Sequence, residues 1–314
     1  MSLWHDNQGR VHPGWRFLLG AVVAVIANFI AIGVAGPLAH GQSRLLEALY
    51  RPLTMLLLLG GYALLLMSAD QAHERLFRAM GLGRFPGWVR QELWGMAIGT
   101  ALTAVAVLCI VFFGDLAVTL KINSHTLGLA LVELFILSTA AMGEELMFRG
   151  YPFHRLVEAT EPVFAVVVMS LLFGFAHGGN PHASRLAMVN TFAIGALLCT
   201  AYLRTGALWM SWGIHFAWNT ALGLVFGLPV SGLTDFAVIL KMRASGPRWV
   251  TGGAYGIEGS VVGTVVILLG FIPVILLTRR DPAVRAPAAP VAQPGGWDGQ
   301  SASDPPSPHR IQEG

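Results

Sequence analysis

Several ionisable and amide side chains stand inside otherwise apolar stretches of the sequence. They are Glu144, Glu145, Arg149, His177, His215 and Asn219. Burying such groups in an apolar run costs free energy, so their presence there indicates a function. A carboxylate can take a proton from water, while imidazole and amide groups can hold that water or donate to a developing oxyanion. Together these residue types have what the hydrolysis of an amide bond requires.

The spacing gives the two adjacent carboxylates different surroundings. Glu145 and Arg149 are four residues apart, so on a helix they share a face and can neutralise each other. Glu144 lies about 100° away around the helix and points elsewhere. We therefore expect Glu144 to face the reacting groups and Glu145 to pair with Arg149, a pair equally compatible with a purely structural role. His215 and Asn219 are also four residues apart and project together.

The polar groups are expected to meet at one depth. Glu145 and His177 each lie sixteen residues from a turn predicted near residue 161, which places them at the same height in a helical hairpin. His215 lies about ten residues from the next connection, near residue 205, or about 15 Å along a helix. We expect a water-filled cavity that opens on the side of these two connections.

The composition requires a membrane environment around these elements. Of 314 residues, 54% are hydrophobic and only 12% are charged, and the mean hydropathy is positive. A soluble domain has about a quarter of its residues charged, so a soluble globular fold is excluded. The net charge of +3 is too small to indicate a nucleic-acid partner. Cys109 and Cys199 both lie in apolar runs and are expected to be free thiols.

Apolar runs of about twenty residues predict membrane-spanning helices, so the lipid bilayer is the expected partner. We expect an all-α, polytopic integral membrane protein with about eight transmembrane helices in one bundle. The apolar segments are 17–39, 52–68, 93–113, 127–148, 163–177, 186–203, 208–226 and 260–277.

Four regions follow from this pattern. Residues 1–126 would hold three helices and their loops, residues 127–226 the core with helices four to seven, and residues 227–280 a long loop and the eighth helix. The segment 281–314 is rich in Pro, Ala and Gly and is expected to be disordered. With eight spans, thirteen Lys and Arg residues fall on the side of the termini and seven on the other. This asymmetry predicts cytoplasmic termini. We expect the protein to lie in the plasma or cytoplasmic membrane.

Three motifs follow one another within the core. Glu144-Glu145-Leu-Met-Phe-Arg149 fits the pattern EExxxR, Phe173-Gly-Phe-Ala-His177 fits FxxxH, and His215-Phe-Ala-Trp-Asn219 fits HxxxN. In this order they resemble the CPBP family of intramembrane proteases. The relatives in that family are type II CAAX prenyl endopeptidases and bacteriocin-immunity membrane proteins.

The resemblance implies an eight-helix bundle that hydrolyses peptide bonds of peptides or proteins in or near the membrane. Carried over to this chain, it makes Glu144 the residue that activates water and His177 the residue that helps to hold it. His215 and Asn219 would stabilise the oxyanion. Glu145 and Arg149 would brace the helix that carries Glu144, and Phe173 would support the site through its own motif.

Three alternatives remain open from the sequence. A carboxylate with two imidazoles can also bind a divalent metal such as Zn²⁺, although the amide of Asn219 beside His215 favours a metal-independent oxyanion site. A scaffold or immunity protein without activity could keep the same residues for stability. A proton-coupled transporter also uses buried Glu and His, but the sequence shows no inverted repeat.

Overall fold

The computed structural model describes most of the apolar part of the chain. The described residues are 4–5, 10–68, 76–121, 124–236 and 239–278. The segment 281–314, for which we predict disorder, lies outside them.

Helices make up most of the described chain, as the apolar runs predict. In chain order they are α1 (Pro13–Leu38), α2 (Ser43–Ser68), α3 (Leu76–Ala79), α4 (Trp88–Phe113), α5 (Ser124–Arg149), α6 (Tyr151–Ala159), α7 (Pro162–Ala176), α8 (Arg185–Thr205), α9 (Trp209–Asn219), α10 (Arg248–Thr251) and α11 (Val261–Leu277). A π-helical segment, Thr220–Val225, continues α9. The all-α membrane fold is thus confirmed.

One element departs from a purely helical fold. Strands β1 (Asp115–Leu120) and β2 (Leu240–Ser245) pair as an antiparallel ribbon in which Asp115 lies opposite Ser245. The ribbon joins the connection after α4 to the connection after α9. It therefore ties two distant loops together at one end of the helix bundle.

Six helical segments are long and apolar enough to cross a membrane. They are Pro13–Leu38, Ser43–Ser68, Trp88–Phe113, Thr126–Ala159, Pro162–Gly179 and Arg185–Thr205. Helix α11 is apolar but has 17 residues. Helix α9 has 11 residues before its π-helical continuation. Several helices also expose large apolar side chains, such as Phe29, Phe112 and Leu276, as a lipid environment favours. The chain is therefore a multi-pass membrane protein, and the count of eight spans stays a prediction.

Close backbone contact fixes helix α9 against α4. A Cβ atom added to Gly95 would lie 2.3 Å from the carbonyl oxygen of Met210, and one added to Gly99 would lie 2.4 Å from that of Ile214. On the other side, a Cβ atom at Gly213 would lie 2.5 Å from a carbonyl of α4. Small residues at all three positions let the two backbones touch, as is common for membrane helices. This packing sets the position of His215 and Asn219.

A break between α5 and α6 ends the helix that carries the acidic motif. Helix α5 stops at Arg149, and α6 begins at Tyr151. Pro152 stands in the first turn of α6, where its missing N–H is tolerated. Helix α6 then packs against α1, where a Cβ atom at Gly20 would lie 2.9 Å from the Tyr151 ring.

Candidate active site

Three helical elements bring one carboxylate and two imidazoles together. Oε2 of Glu144 on α5 lies 3.7 Å from Nε2 of His215 on α9. The same oxygen lies 3.8 Å from Nε2 of His177, which follows directly after α7. Within the described residues this oxygen has no hydrogen-bond partner. The gap between the three groups leaves their polar atoms directed at a shared space.

Glu145 points away from that space and pairs with Arg149. Nη1 of Arg149 lies 3.3 Å from Oε1 of Glu145, and both side chains are fully buried. Nη2 of Arg149 donates to the carbonyl oxygen of Gly195 on α8 at 3.3 Å. The guanidinium carbon also lies 4.2 Å from the centre of the Phe173 ring. Arg149 thereby connects helices α5, α7 and α8.

Each histidine is oriented through its Nδ1 atom. Nδ1 of His177 lies 2.8 Å from the carbonyl oxygen of Phe173, and since a carbonyl only accepts, Nδ1 must carry the hydrogen. Nδ1 of His215 lies 2.9 Å from Oε1 of Glu145. The sequence predicts the Glu145–Arg149 pair but not this third partner. In both rings Nε2 is therefore the atom left to face Glu144.

Asn219 lines the same cavity at the end of α9. The helix changes to the π-helical segment Thr220–Val225 at the next residue, and such segments are frequent at functional sites. The neighbouring Trp218 donates its Nε1–H to Oε1 of Glu258 at 2.9 Å. This bond anchors the turn that carries Asn219.

Glu258 is a buried carboxylate that sequence reasoning placed in a polar connecting loop. It is 3% exposed and also accepts hydrogen bonds from the backbone N–H and the hydroxyl of Ser231. The side chain of Asn190 on α8 donates to its carbonyl oxygen at 2.8 Å. The end of the long loop thus folds against the helix bundle and forms part of the cavity wall.

Arg51 is a second contact of Glu144 that sequence reasoning missed. Its Nη1 lies 3.7 Å from Oε1 of Glu144, and its Nε donates to Oε2 of Glu47 at 2.6 Å. Arg51 directly precedes the apolar segment that begins at residue 52, so we counted it as a loop charge. The spacing of four residues from Glu47 was the available signal, because it places both on one face of α2.

A cavity of about 830 Å³ joins these groups. The cavity is lined by the four candidate catalytic side chains Glu144, His177, His215 and Asn219. The buried Glu133 lines the same cavity. Its exposed lining residues lie at the start of α2 and on the connections after α7 and after α9. Among them are Ser43, Pro181, His182, Thr234 and Asp235.

The predicted direction of this cavity is wrong. We expected an opening beside the connections near residues 161 and 205, but the exposed lining lies at the other end of the helices. Sixteen helical residues span about 24 Å, which is most of the roughly 30 Å of hydrocarbon thickness. His177 therefore lies far from the turn near residue 161, and the sixteen residues between Glu145 and that turn include the break between α5 and α6.

The side chains do not form a ready metal centre. Across the part of the chain that the structure describes, no group of three or more His, Cys, Asp or Glu side chains is arranged to hold a metal ion. Arg51 occupies one side of Glu144, while the Nδ1 contacts of His177 and His215 leave both Nε2 atoms able to bind a ligand. The cluster is one carboxylate contacted by a guanidinium group and two imidazoles.

Comparison with known proteins agrees with the motifs. A family model described as type II CAAX prenyl endopeptidase Rce1-like matches residues 126–221. This match confirms the resemblance to the CPBP family. No curated protein and no solved structure matches the chain. The matched segment contains all three motifs and supports a peptidase, while Arg51 and Glu258 lie outside it.

Removing the charge of Glu145 is expected to destabilise the fold, whereas removing the charge of the adjacent Glu144 is not. Glu145→Gln leaves the fully buried Arg149 without its ion pair, and breaking a buried pair costs about 3–5 kcal/mol. We expect a lower yield of monodisperse protein and a lower thermal unfolding temperature in detergent. Glu144→Gln is the matched control, because its side chain is 23% exposed and keeps yield and unfolding temperature near wild type. Full yield and an unchanged unfolding temperature for Glu145→Gln would mean that the pair does not stabilise the fold.

Proposed function

We propose that this protein is an intramembrane endopeptidase that hydrolyses a peptide bond of a membrane-associated protein or peptide. One observation carries the proposal. An unpaired oxygen of Glu144 faces Nε2 of both His177 and His215 within 3.8 Å, in a cavity inside a membrane-spanning bundle. The match to a peptidase family model supports the same reaction class.

Glu144 is the general base in this proposal. A water molecule between Glu144 and His177 gives one proton to Oε2 of Glu144 while its oxygen attacks the scissile carbonyl carbon. Nε2 of His177 carries a lone pair because Nδ1–H is bonded to the Phe173 carbonyl, so it accepts the second O–H of the water. Glu144 then returns the proton to the leaving amine as the C–N bond breaks.

His215 and Asn219 are the oxyanion donors in this proposal. The Nδ1–H of His215 is directed at Glu145, so donation from Nε2 requires the imidazolium form. The carboxylate of Glu145 favours that cation, and Arg149 balances the remaining charge. Asn219 adds a neutral N–H donor from the same wall of the cavity.

We also propose roles for the regions of the chain, a first substrate and a location in the cell. Residues 127–226 form the protease core, and described residues of the segments 1–126 and 227–280 complete the cavity wall. The segment 281–314 lies outside the described residues. The family model is named for CAAX prenyl endopeptidases, so a prenylated CAAX peptide is the first substrate to test. We propose a location in the plasma membrane with cytoplasmic termini. In that orientation the cavity opens away from the cytoplasm, so a membrane-anchored segment on that side is the second substrate class to test.

Replacing the base should abolish cleavage. We expect Glu144→Gln to lower the cleavage rate by about 10²–10⁴-fold, the usual contribution of a positioned base. The measurement uses purified full-length protein in proteoliposomes and quenched fluorescent peptides, with and without a farnesylated C-terminal CAAX sequence. Glu161→Gln makes the same change at an exposed carboxylate beside α7 and should keep wild-type activity. Cleavage by Glu144→Gln at the wild-type rate would exclude Glu144 as the base.

Metal removal separates the two open mechanisms. If water is activated by Glu144 without a metal, activity should persist after exhaustive chelation and purification in metal-free buffer. Elemental analysis of the same sample measures zinc per chain. About one zinc per chain, lost in parallel with activity and restored by added Zn²⁺, would contradict the metal-independent proposal.

A further inference from the structure

Thr54 on α2 has a buried hydroxyl group that the proposed chemistry does not use. The residue is 5% exposed and lines the cavity that contains Glu144. Across the described residues, its Oγ1 atom has no hydrogen-bond partner. A buried polar atom without a partner costs free energy, so this hydroxyl calls for a functional explanation.

In the π-helical segment, the buried hydroxyl of Thr220 likewise has no partner among the described residues. Five other helical threonines satisfy their hydroxyls within the helix. Each donates to the carbonyl oxygen four residues earlier, at 2.8 to 3.0 Å; they are Thr103, Thr139, Thr191, Thr200 and Thr205. The corresponding acceptor for Thr54 is the Tyr50 carbonyl, and no such bond forms in the described chain. The Thr54 hydroxyl is therefore available to a molecule in the cavity.

Thr54 lies close to the reacting carboxylate. Arg51, three residues earlier on the same face of α2, contacts Oε1 of Glu144. Three residues correspond to about 4.5 Å along the helix axis. A chain whose scissile bond lies at Glu144 would have its next peptide groups within reach of this part of α2.

The cavity holds many acceptors, and several of its donors already bond within the protein. Its described lining includes five carboxylates, namely Glu47, Glu133, Glu144, Asp235 and Glu258. Carboxylates satisfy the N–H groups of an extended peptide but not its carbonyl groups. Arg51 already donates to Glu47. Because backbone polar groups must be satisfied inside a membrane, a bound peptide needs further donors for its carbonyls.

We propose that Thr54 is a substrate-binding residue whose hydroxyl donates a hydrogen bond to a peptide carbonyl next to the scissile bond. This inference rests on the proposed endopeptidase function and adds a contact on α2, outside the segment that the family model matches. It also explains why α2 leaves this hydroxyl without a partner among the described residues.

The test compares Thr54→Val with Thr139→Val in the purified full-length protein. Both replacements remove one hydroxyl from the cavity wall at nearly constant shape, but the Thr139 hydroxyl is bonded to the Phe135 carbonyl. For the farnesylated CAAX peptide we expect Thr54→Val to raise KM about fivefold with kcat nearly unchanged, as for the loss of one neutral hydrogen bond. Thr54→Ser should restore the wild-type KM. Thr139→Val should leave KM unchanged.

Thermal unfolding without peptide supplies a second readout. Thr54→Val removes no internal bond, so its unfolding temperature should equal or exceed that of wild type. Thr139→Val loses an internal bond, so its unfolding temperature should fall. An unchanged KM for Thr54→Val, or a higher KM that simply follows a lower unfolding temperature, would overturn the inference.

Binding measured without cleavage keeps this test separate from the proposed function. In a Glu144→Gln background, fluorescence anisotropy of the same labelled peptide should show about fivefold weaker binding when Thr54→Val is added. If wild type binds the peptide but does not cleave it, the endopeptidase proposal fails while this comparison still decides the role of Thr54. Equal affinities with and without Thr54→Val overturn the inference, and so does the absence of any binding.

Discussion

The buried ion pair between Glu145 and Arg149 is the contact on which the rest of the site depends. Two charges with no solvent exposure are stable inside a membrane bundle only when their polar atoms find partners. Partners come from three other helices: the Gly195 carbonyl on α8, the Phe173 ring on α7 and Nδ1 of His215 on α9. Oε2 of Glu145 and Nε of Arg149 have no hydrogen-bond partner in the described chain. Satisfying this pair therefore brings the elements of the candidate site together.

The same constraint gives two neighbouring carboxylates opposite roles. Glu145 is held by Arg149 and His215, so its charge is committed to the fold. Glu144 faces the cavity, with Arg51 at one oxygen and two imidazoles around the other. The rotation of about 100° between consecutive helix positions is sufficient to separate a structural carboxylate from one available for chemistry.

Local patterns predicted much of this arrangement. Apolar runs identified the helices, and the spacing of four residues identified the Glu145–Arg149 pair, because both signals depend only on helix geometry. We also predicted that the acidic motif and His177 meet, and Oε2 of Glu144 lies 3.8 Å from Nε2 of His177. The direction of the cavity did not follow, because it depends on which loops cover the helix ends.

The contacts that sequence reasoning missed join distant parts of the chain. Arg51 meets Glu144 only because α2 packs against α5, and Glu258 meets Trp218 because a long loop folds back on the bundle. The β1–β2 ribbon likewise pairs segments on either side of the part of the chain that the family model matches. No local periodicity encodes such pairings, and all three lie wholly or partly outside the recognised motifs.

The central claim is that Glu144 activates a water molecule that attacks the substrate directly. A single turnover in ¹⁸O-labelled water, with enzyme in excess over peptide and products analysed by mass spectrometry, tests it most directly. The account predicts one ¹⁸O atom in the new carboxylate of the amino-terminal product and none in the enzyme. Label found in the side chain of Glu144, with an unlabelled product, would show that Glu144 attacks the peptide itself and would contradict the account.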